Sequence, residues 1–214
     1  MARRAVFLDR DGVINSYVHH PELGVVDSPA RAAEFLLLPY AGEAIARLTR
    51  LGLLVIVVSN QPGIAKRKFS VSHLEAMTRK MKALARAEGG RIDSVYYCCH
   101  HPESLVPLFR KACDCRKPKP GLLLAAMRDW NIGAAGSYMV GDGASDILAG
   151  KAAGSTTLFV GSRKCYVCED LSRHDAHPDF LTHDLLEAAE VIECLENGDA
   201  ADAKKLCFGK CPIA

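Results

Sequence analysis

LLVIVVSN (53–60) is a run of apolar and β-branched residues closed by the polar pair Ser59 and Asn60. That length and composition suit a strand buried on both faces. Shorter runs of the same kind flank it: AVFLD (5–9), RIDSVYY (91–97), SYMVGD (137–142) and TTLFVG (156–161). Helical patterns fill the intervals. Residues 40–51 place Ala44, Ile45, Leu48 and Leu51 on one face. Ser70 or Ser72 caps a second helix that runs to 88, and Pro118 and Pro120 lead into a third. Residues 145–153 and 183–196 read as two more. Strands separated by helical crossovers predict an α/β domain, a central parallel sheet with helices on both faces. Ligands of such sheets bind beyond the carboxyl ends of the strands. Asp9, Ser59 and Asp142 stand at three such ends and are expected to converge.

The chain of 214 residues is long enough for a full core and fits one domain. We expect a single domain over 1–196 and a tail over 197–214, without a second-domain boundary. Hydrophobic residues are 49% and charged residues 24%, which excludes a disordered chain. A net charge of +2 gives no basic field for nucleic acid or an anionic membrane, and neither partner is expected. No apolar run reaches the length of a transmembrane helix. The apolar stretch in MARRAVFLDRDG is too short for a secretory signal, so the cytosol is the expected compartment and a monomer the expected state.

FLDRDGVIN puts Asp11 two residues after Asp9, and VGDGASD puts Asp146 one helical turn after Asp142. Carboxylates gathered at one sheet edge repel one another, and a hard cation with oxygen ligands, Mg²⁺, relieves that. Lys117 in RKPKPG and Ser59 with Asn60 in SNQPG add a cation and donors. Nucleophile, metal, phosphate clamp and acid are the parts of phosphoryl transfer.

Taken in order, FLDRDGVIN, VVSNQPGIAK, CDCRKPKPG and VGDGASD resemble the four motifs of the haloacid dehalogenase (HAD) superfamily of phosphatases. The resemblance covers roughly residues 5–160, with a fainter echo at 177–188. It is nearest to the heptose 1,7-bisphosphate and histidinol phosphatases. It implies a Rossmann-like HAD fold in which the long 10–38 and 98–119 segments replace a separate cap domain. It also implies an aspartyl-phosphate formed on Asp9, with Asp11 as acid and then base. Mg²⁺ would sit on Asp9, the Asp11 carbonyl and Asp142. Ser59 and Lys117 would hold the phosphoryl oxygens, and Arg116, Asn15, Tyr17, Asn60 and Gln61 would line the substrate. Asp146 would brace the site. The implied substrate is a small sugar phosphate, led by the 7-phosphate of heptose 1,7-bisphosphate. Histidinol phosphate is the alternative within the fold. A polynucleotide 3′-phosphatase and a non-catalytic zinc-binding module are more distant ones.

Cys98, His100, Cys113 and Cys115 form C-x-H-x12-C-x-C, two close ligand pairs joined by a loop. This is the build of a structural zinc site, which would pin the 98–119 loop ahead of Arg116 and Lys117. The heptose bisphosphate and histidinol phosphatases carry the same pattern. Two positions depart from it: Cys99 stands where Pro is usual, and Arg67 where a Gly commonly follows GIAK. Cys165, Cys168, His174 and His177 make a further C-x2-C-x5-H-x2-H, and Cys207 and Cys211 lie beyond. Surface thiols and solvated histidines are the plainer reading of these, and Cys194 reads as core.

Overall fold

The structure is a computed structural model that describes residues 2–161 and 165–206, the backbone alone at 165–168. The predicted strands appear as β1 (Ala5–Leu8), β4 (Leu54–Asn60), β5 (Ser94–Cys98), β6 (Tyr138–Gly141) and β7 (Thr156–Val160). A sixth, β8 (Phe180–Thr182), joins them in one sheet of order β5-β4-β1-β6-β7-β8, parallel throughout. β8 has only three residues, too few for a period to show in sequence. β1 lies mid-sheet, in register with both β4 (Phe7 opposite Ile56) and β6 (Phe7 opposite Met139).

Side chains alternate across a strand, so each strand feeds two cores. Val6, Leu8, Val55, Val57 and Val140 face α1 (Ala41–Arg50), α2 (Val71–Ala87) and α6 (Leu185–Glu196). Ala5, Phe7, Ile56, Val58 and Met139 face α3 (Gly121–Trp130) and α4 (Ala144–Ala152). The result is three layers, helix–sheet–helix. Ser70 caps α2 by accepting from the His73 backbone N–H at 3.2 Å. A smaller cluster of Ile147, Phe159, Leu171 and Ala176 seats α5 (Cys165–Arg173) beyond β7.

Part of the 197–214 segment expected as a tail is helical. Ala200–Leu206 form α7, with Ala203 fully buried and Leu206 packed on the core beside α6. Residues 207–214, including Cys207 and Cys211, lie outside the described residues.

The 10–38 segment is not a plain loop. It carries a two-stranded antiparallel hairpin, β2 (Val18–His20) and β3 (Val25–Asp27), tied by an Asp27–Lys68 ion pair to the loop after β4. The 98–119 segment holds one short 3₁₀ turn (Pro107–Phe109) and is fastened to the same loop. There the Leu105 N–H and the Ser104 hydroxyl both donate to the Ala65 carbonyl. Arg67 in that loop has φ of 55°, the left-handed region that favours glycine. No helix of the described residues is long and apolar enough to cross a membrane.

Candidate active site

The site stands at the carboxyl ends of β1, β4 and β6. Asp9 directly follows β1, and its N–H continues the ladder by donating to the Val140 carbonyl at 3.0 Å. Asp142 directly follows β6, and Asp146 lies in the first turn of α4. Carboxylate oxygens of Asp9, Asp142 and Asp146 all lie within 4.8 Å of one another. Gly12, at φ of 83°, passes so close that a Cβ there would sit 2.0 Å from Asp142 Oδ2.

One fully buried cation, Lys117, balances part of this charge. Its Nζ lies 3.0 Å from Asp9 Oδ1 and 2.5 Å from Asp146 Oδ1, and donates to the Val58 carbonyl at 2.8 Å. Burial alone would lower the Lys117 pKa, but Asp146 and Asp9 outweigh it and the ammonium is held charged. Among the described residues no cation forms an ion pair with Asp142. Burial, then the charges of Asp9 and Asp146, push it up to about 8, and Lys117 lowers it only at longer range. Burial lifts Asp146 to about 6 against the pull of Lys117. Asp146 also accepts from the Gly143 N–H at 3.1 Å, so its carboxylate braces Lys117 and the start of α4.

The donor set fits a hard divalent cation: clustered oxygens, with one acid that the protein's own cations leave unneutralised. The Tyr17 hydroxyl bridges the same place, donating to Asp142 Oδ2 at 3.0 Å and lying 3.3 Å from the Asp11 carbonyl. Thus the Asp11 carbonyl, Asp142 and Asp9 face one small volume, with Tyr17 at its rim.

Asn60 and Gln61 turn out to serve the site's framework. The Asn60 side chain donates to the Lys117 carbonyl at 3.0 Å and accepts from the Lys117 N–H at 3.1 Å, which fixes that backbone. The buried Gln61 amide donates to Asp11 Oδ2 at 2.7 Å and to Ser59 Oγ at 3.1 Å. Asn15, also buried, donates to Asp11 Oδ1 at 2.9 Å. Ser59 is buried at the end of β4. Arg116 touches the 98–119 loop, donating to the His100 carbonyl at 3.3 Å. Sequence reading passed over Arg10, which is fully buried and paired with Asp11. The available signal was its place between two site acids, where a cation must find a partner.

Beside Arg116, Cys98, His100, Cys113 and Cys115 come together. Their sulfurs are 3.2–3.6 Å apart, and His100 Nδ1 is 3.3 Å from Cys115 Sγ and 3.8 Å from Cys98 Sγ. A disulfide needs about 2.05 Å. Zn–S bonds of about 2.3 Å place tetrahedral ligands about 3.8 Å apart, so the four atoms fit one Zn²⁺ after slight expansion. Burial and the other two thiols hold the Cys115 pKa well above the usual thiol range. Cys99 packs on the opposite core from Cys98, which leaves Cys98 as the ligand. In the C-terminal region His174 pairs with Asp170 at 3.5 Å and His177 with Asp175 at 2.9 Å. The side chains of Cys165 and Cys168 lie outside the described residues. Cys194 is half-buried against the core.

A parallel sheet that collects an aspartate, a buried lysine and paired acids at its central carboxyl edge defines a HAD-type phosphatase. A family model described as HAD-hydrolase-like matches residues 114–188. The chain is 43% identical over 163 residues to D-glycero-beta-D-manno-heptose-1,7-bisphosphate 7-phosphatase of Vibrio cholerae, spanning 75% of this chain and 82% of that one. The enzyme of that name in Escherichia coli is 41% identical over 149 residues, 70% and 74% of the two chains. Among solved structures, D,D-heptose 1,7-bisphosphate phosphatase of B. bronchiseptica, complexed with magnesium and phosphate, superposes with a TM-score of 0.72. It is 29% identical and covers 91% of this chain and 99% of its own. The chain belongs to the D-glycero-beta-D-manno-heptose-1,7-bisphosphate 7-phosphatase family.

Proposed function

We propose that this protein is a cytoplasmic, Mg²⁺-dependent phosphatase that removes the 7-phosphate of D-glycero-β-D-manno-heptose 1,7-bisphosphate. The carrying observation is the Asp9–Lys117 contact at 3.0 Å, at the carboxyl end of β1 and in reach of Asp142 and Asp146. The names of the relatives supply the substrate.

In this reading Asp9 attacks phosphorus, and the bond from phosphorus to the sugar O7 breaks. The departing oxygen takes a proton from Asp11, which in the second half draws one from the water that hydrolyses the aspartyl-phosphate. Lys117 and Ser59 hold phosphoryl oxygens as charge redistributes. Asp9, the Asp11 carbonyl and Asp142 would hold Mg²⁺, which neutralises the acids and the phosphoryl group when bound. Arg116 and Tyr17 reach toward the sugar and the remaining phosphate from the rim. Asn15, Asn60 and Gln61 serve binding by fixing Asp11 and the Lys117 backbone. Zn²⁺ on Cys98, His100, Cys113 and Cys115 would lock the loop that carries Arg116 and Lys117. Residues 1–206 would act as one domain, with α7 as its last element.

The test is Asp9→Asn together with a substrate panel. We expect the variant to fold and bind Mg²⁺ but to lose at least ~10³-fold in kcat, about 4 kcal/mol of transition-state stabilisation. Wild-type protein should prefer the β anomer of heptose bisphosphate over the α anomer and over histidinol phosphate. Faster hydrolysis of histidinol phosphate would overturn the substrate. Full turnover by Asp9→Asn would overturn the mechanism.

A further inference from the structure

The reaction above gives no task to Arg10, yet Arg10 is among the largest fully buried side chains of the protein. Its guanidinium forms a fork on Asp11. Nε and Nη2 donate to Oδ1 at 3.2 and 3.0 Å, and Nη2 also donates to Oδ2 at 3.0 Å. The rings of Phe35 and Tyr97 lie 6.0 and 5.8 Å from the guanidinium carbon. Nη1 is buried and has no hydrogen-bond partner among the described residues. Tyr97 is held in turn, its hydroxyl 2.9 Å from Thr78 Oγ1, which donates to the Leu74 carbonyl of α2 at 2.8 Å.

Burying a guanidinium costs several kcal/mol unless its partner geometry is good. Here the whole pairing is directed at one carboxyl group. Asn15 and Gln61 each supply only one donor to that group, one per oxygen. Two single-point contacts leave the plane of a carboxyl free to rock. A planar fork fixed between two rings removes that freedom.

We propose that Arg10 is a positioning residue for Asp11, setting the plane and direction of the carboxyl that exchanges a proton with the sugar oxygen. The inference rests on the acid–base role given to Asp11 above. In the positioned step the Asp9 oxygen–phosphorus bond forms, the phosphorus–O7 bond breaks and the Asp11 proton passes to O7, leaving Asp11 as the carboxylate that Arg10, Asn15 and Gln61 grip. Arg10 acts through Asp11: among the described residues its guanidinium contacts the Asp11 carboxyl and the two rings, and it makes no contact with Asp9 or Lys117.

Leaving-group dependence separates this role from a merely structural one. A sugar alkoxide needs a proton to depart, and p-nitrophenolate does not. Single-turnover release, with enzyme in excess and Mg²⁺ present, would be timed for heptose bisphosphate and for p-nitrophenyl phosphate in wild type, Arg10→Met and Arg10→Lys. General acid catalysis is worth about 10²–10⁴-fold, so a misaimed acid should cost Arg10→Met at least about tenfold on the sugar phosphate. Release of p-nitrophenol should change by less than about threefold. Arg10→Lys, with charge but no fork, should show the same split in milder form, and it carries the test alone should Arg10→Met fail to fold. Equal losses on both esters, or an unchanged rate on the sugar phosphate, would overturn the assignment of Arg10. If wild-type protein forms no phosphoenzyme on either ester, the proposed function itself fails and takes this inference with it.

Discussion

Gly12 shows how closely the backbone must approach Asp142. An added methyl would collide with the carboxylate at 2.0 Å, on a residue already at a φ of 83°. Gly12→Ala is therefore expected to weaken Mg²⁺ binding and lower kcat at least about tenfold, with the backbone strain costing about 1–2 kcal/mol of stability. Calorimetric Mg²⁺ titration and thermal denaturation check both; an unaltered Mg²⁺ affinity would refute it. Arg67 is the opposite case, an exposed side chain at a φ that favours glycine. Arg67→Gly should raise stability by about 1 kcal/mol, roughly 2–4 °C in Tm for a domain of this size. A lower Tm would show that the arginine side chain holds the loop more firmly than its backbone strains it.

At the scale of elements, the 98–119 segment has one short 3₁₀ turn and few apolar contacts, so its order depends on the Cys/His cluster and the Ala65 contacts. About one zinc per chain is expected by elemental analysis, and Cys113→Ser should abolish it. Amide exchange over 98–119 should then rise while the strands stay protected, and KM should rise as Arg116 loses its footing on the His100 carbonyl. Unchanged exchange in a zinc-free variant would remove the cluster's structural role. α7 belongs to the same scale. Ala203 is fully buried against the core, so Ala203→Arg should cost about 1–3 kcal/mol in a denaturant melt. A neutral result would return this segment to the status of a tail.

Over the whole molecule, the crowded acids link stability to pH and to the metal. Asp142 and Asp146 are lifted to about 8 and about 6 from a normal value of 3.8. A carboxyl raised in the folded state contributes stability that is present below its unfolded pKa and lost as pH rises through the folded one. Metal-free protein should therefore lose stability between pH 6.5 and 8. His100, lowered from its ordinary value chiefly by burial, acts in the opposite sense and offsets part of this loss near pH 6.5. Mg²⁺ binds the deprotonated acids, so the rise in Tm on adding it should grow across the same window. A metal-free Tm that climbs from pH 6.5 to 8 would contradict this account.

The central strands and the long helices were legible because burial on both faces and a 3.6-residue period leave long marks in sequence, as in 53–60 and 70–88. The gathering of Asp9 and Asp142 and the Cys/His cluster were legible because each sits beside a strand end or in a close pair, whereas Lys117 could be singled out only by the resemblance of its motif. β8, the β2–β3 hairpin and α7 were not legible, since strands of three residues and a helix of two turns leave too short a pattern and are decided by what they pack against. The partnerships within the site were equally hidden. No spacing tells that Asn60 holds the Lys117 backbone across 57 residues, or that Gln61 reaches Asp11 across 50. Nor does it tell that the arginine between two aspartates turns inward between Phe35 and Tyr97. Sequence alone determined which chemical groups are present and at which sheet edge they gather. Only the tertiary structure decided which acid is neutralised by a protein cation and which is left for a metal, because Coulomb energies depend on distances and burial that the folded chain creates.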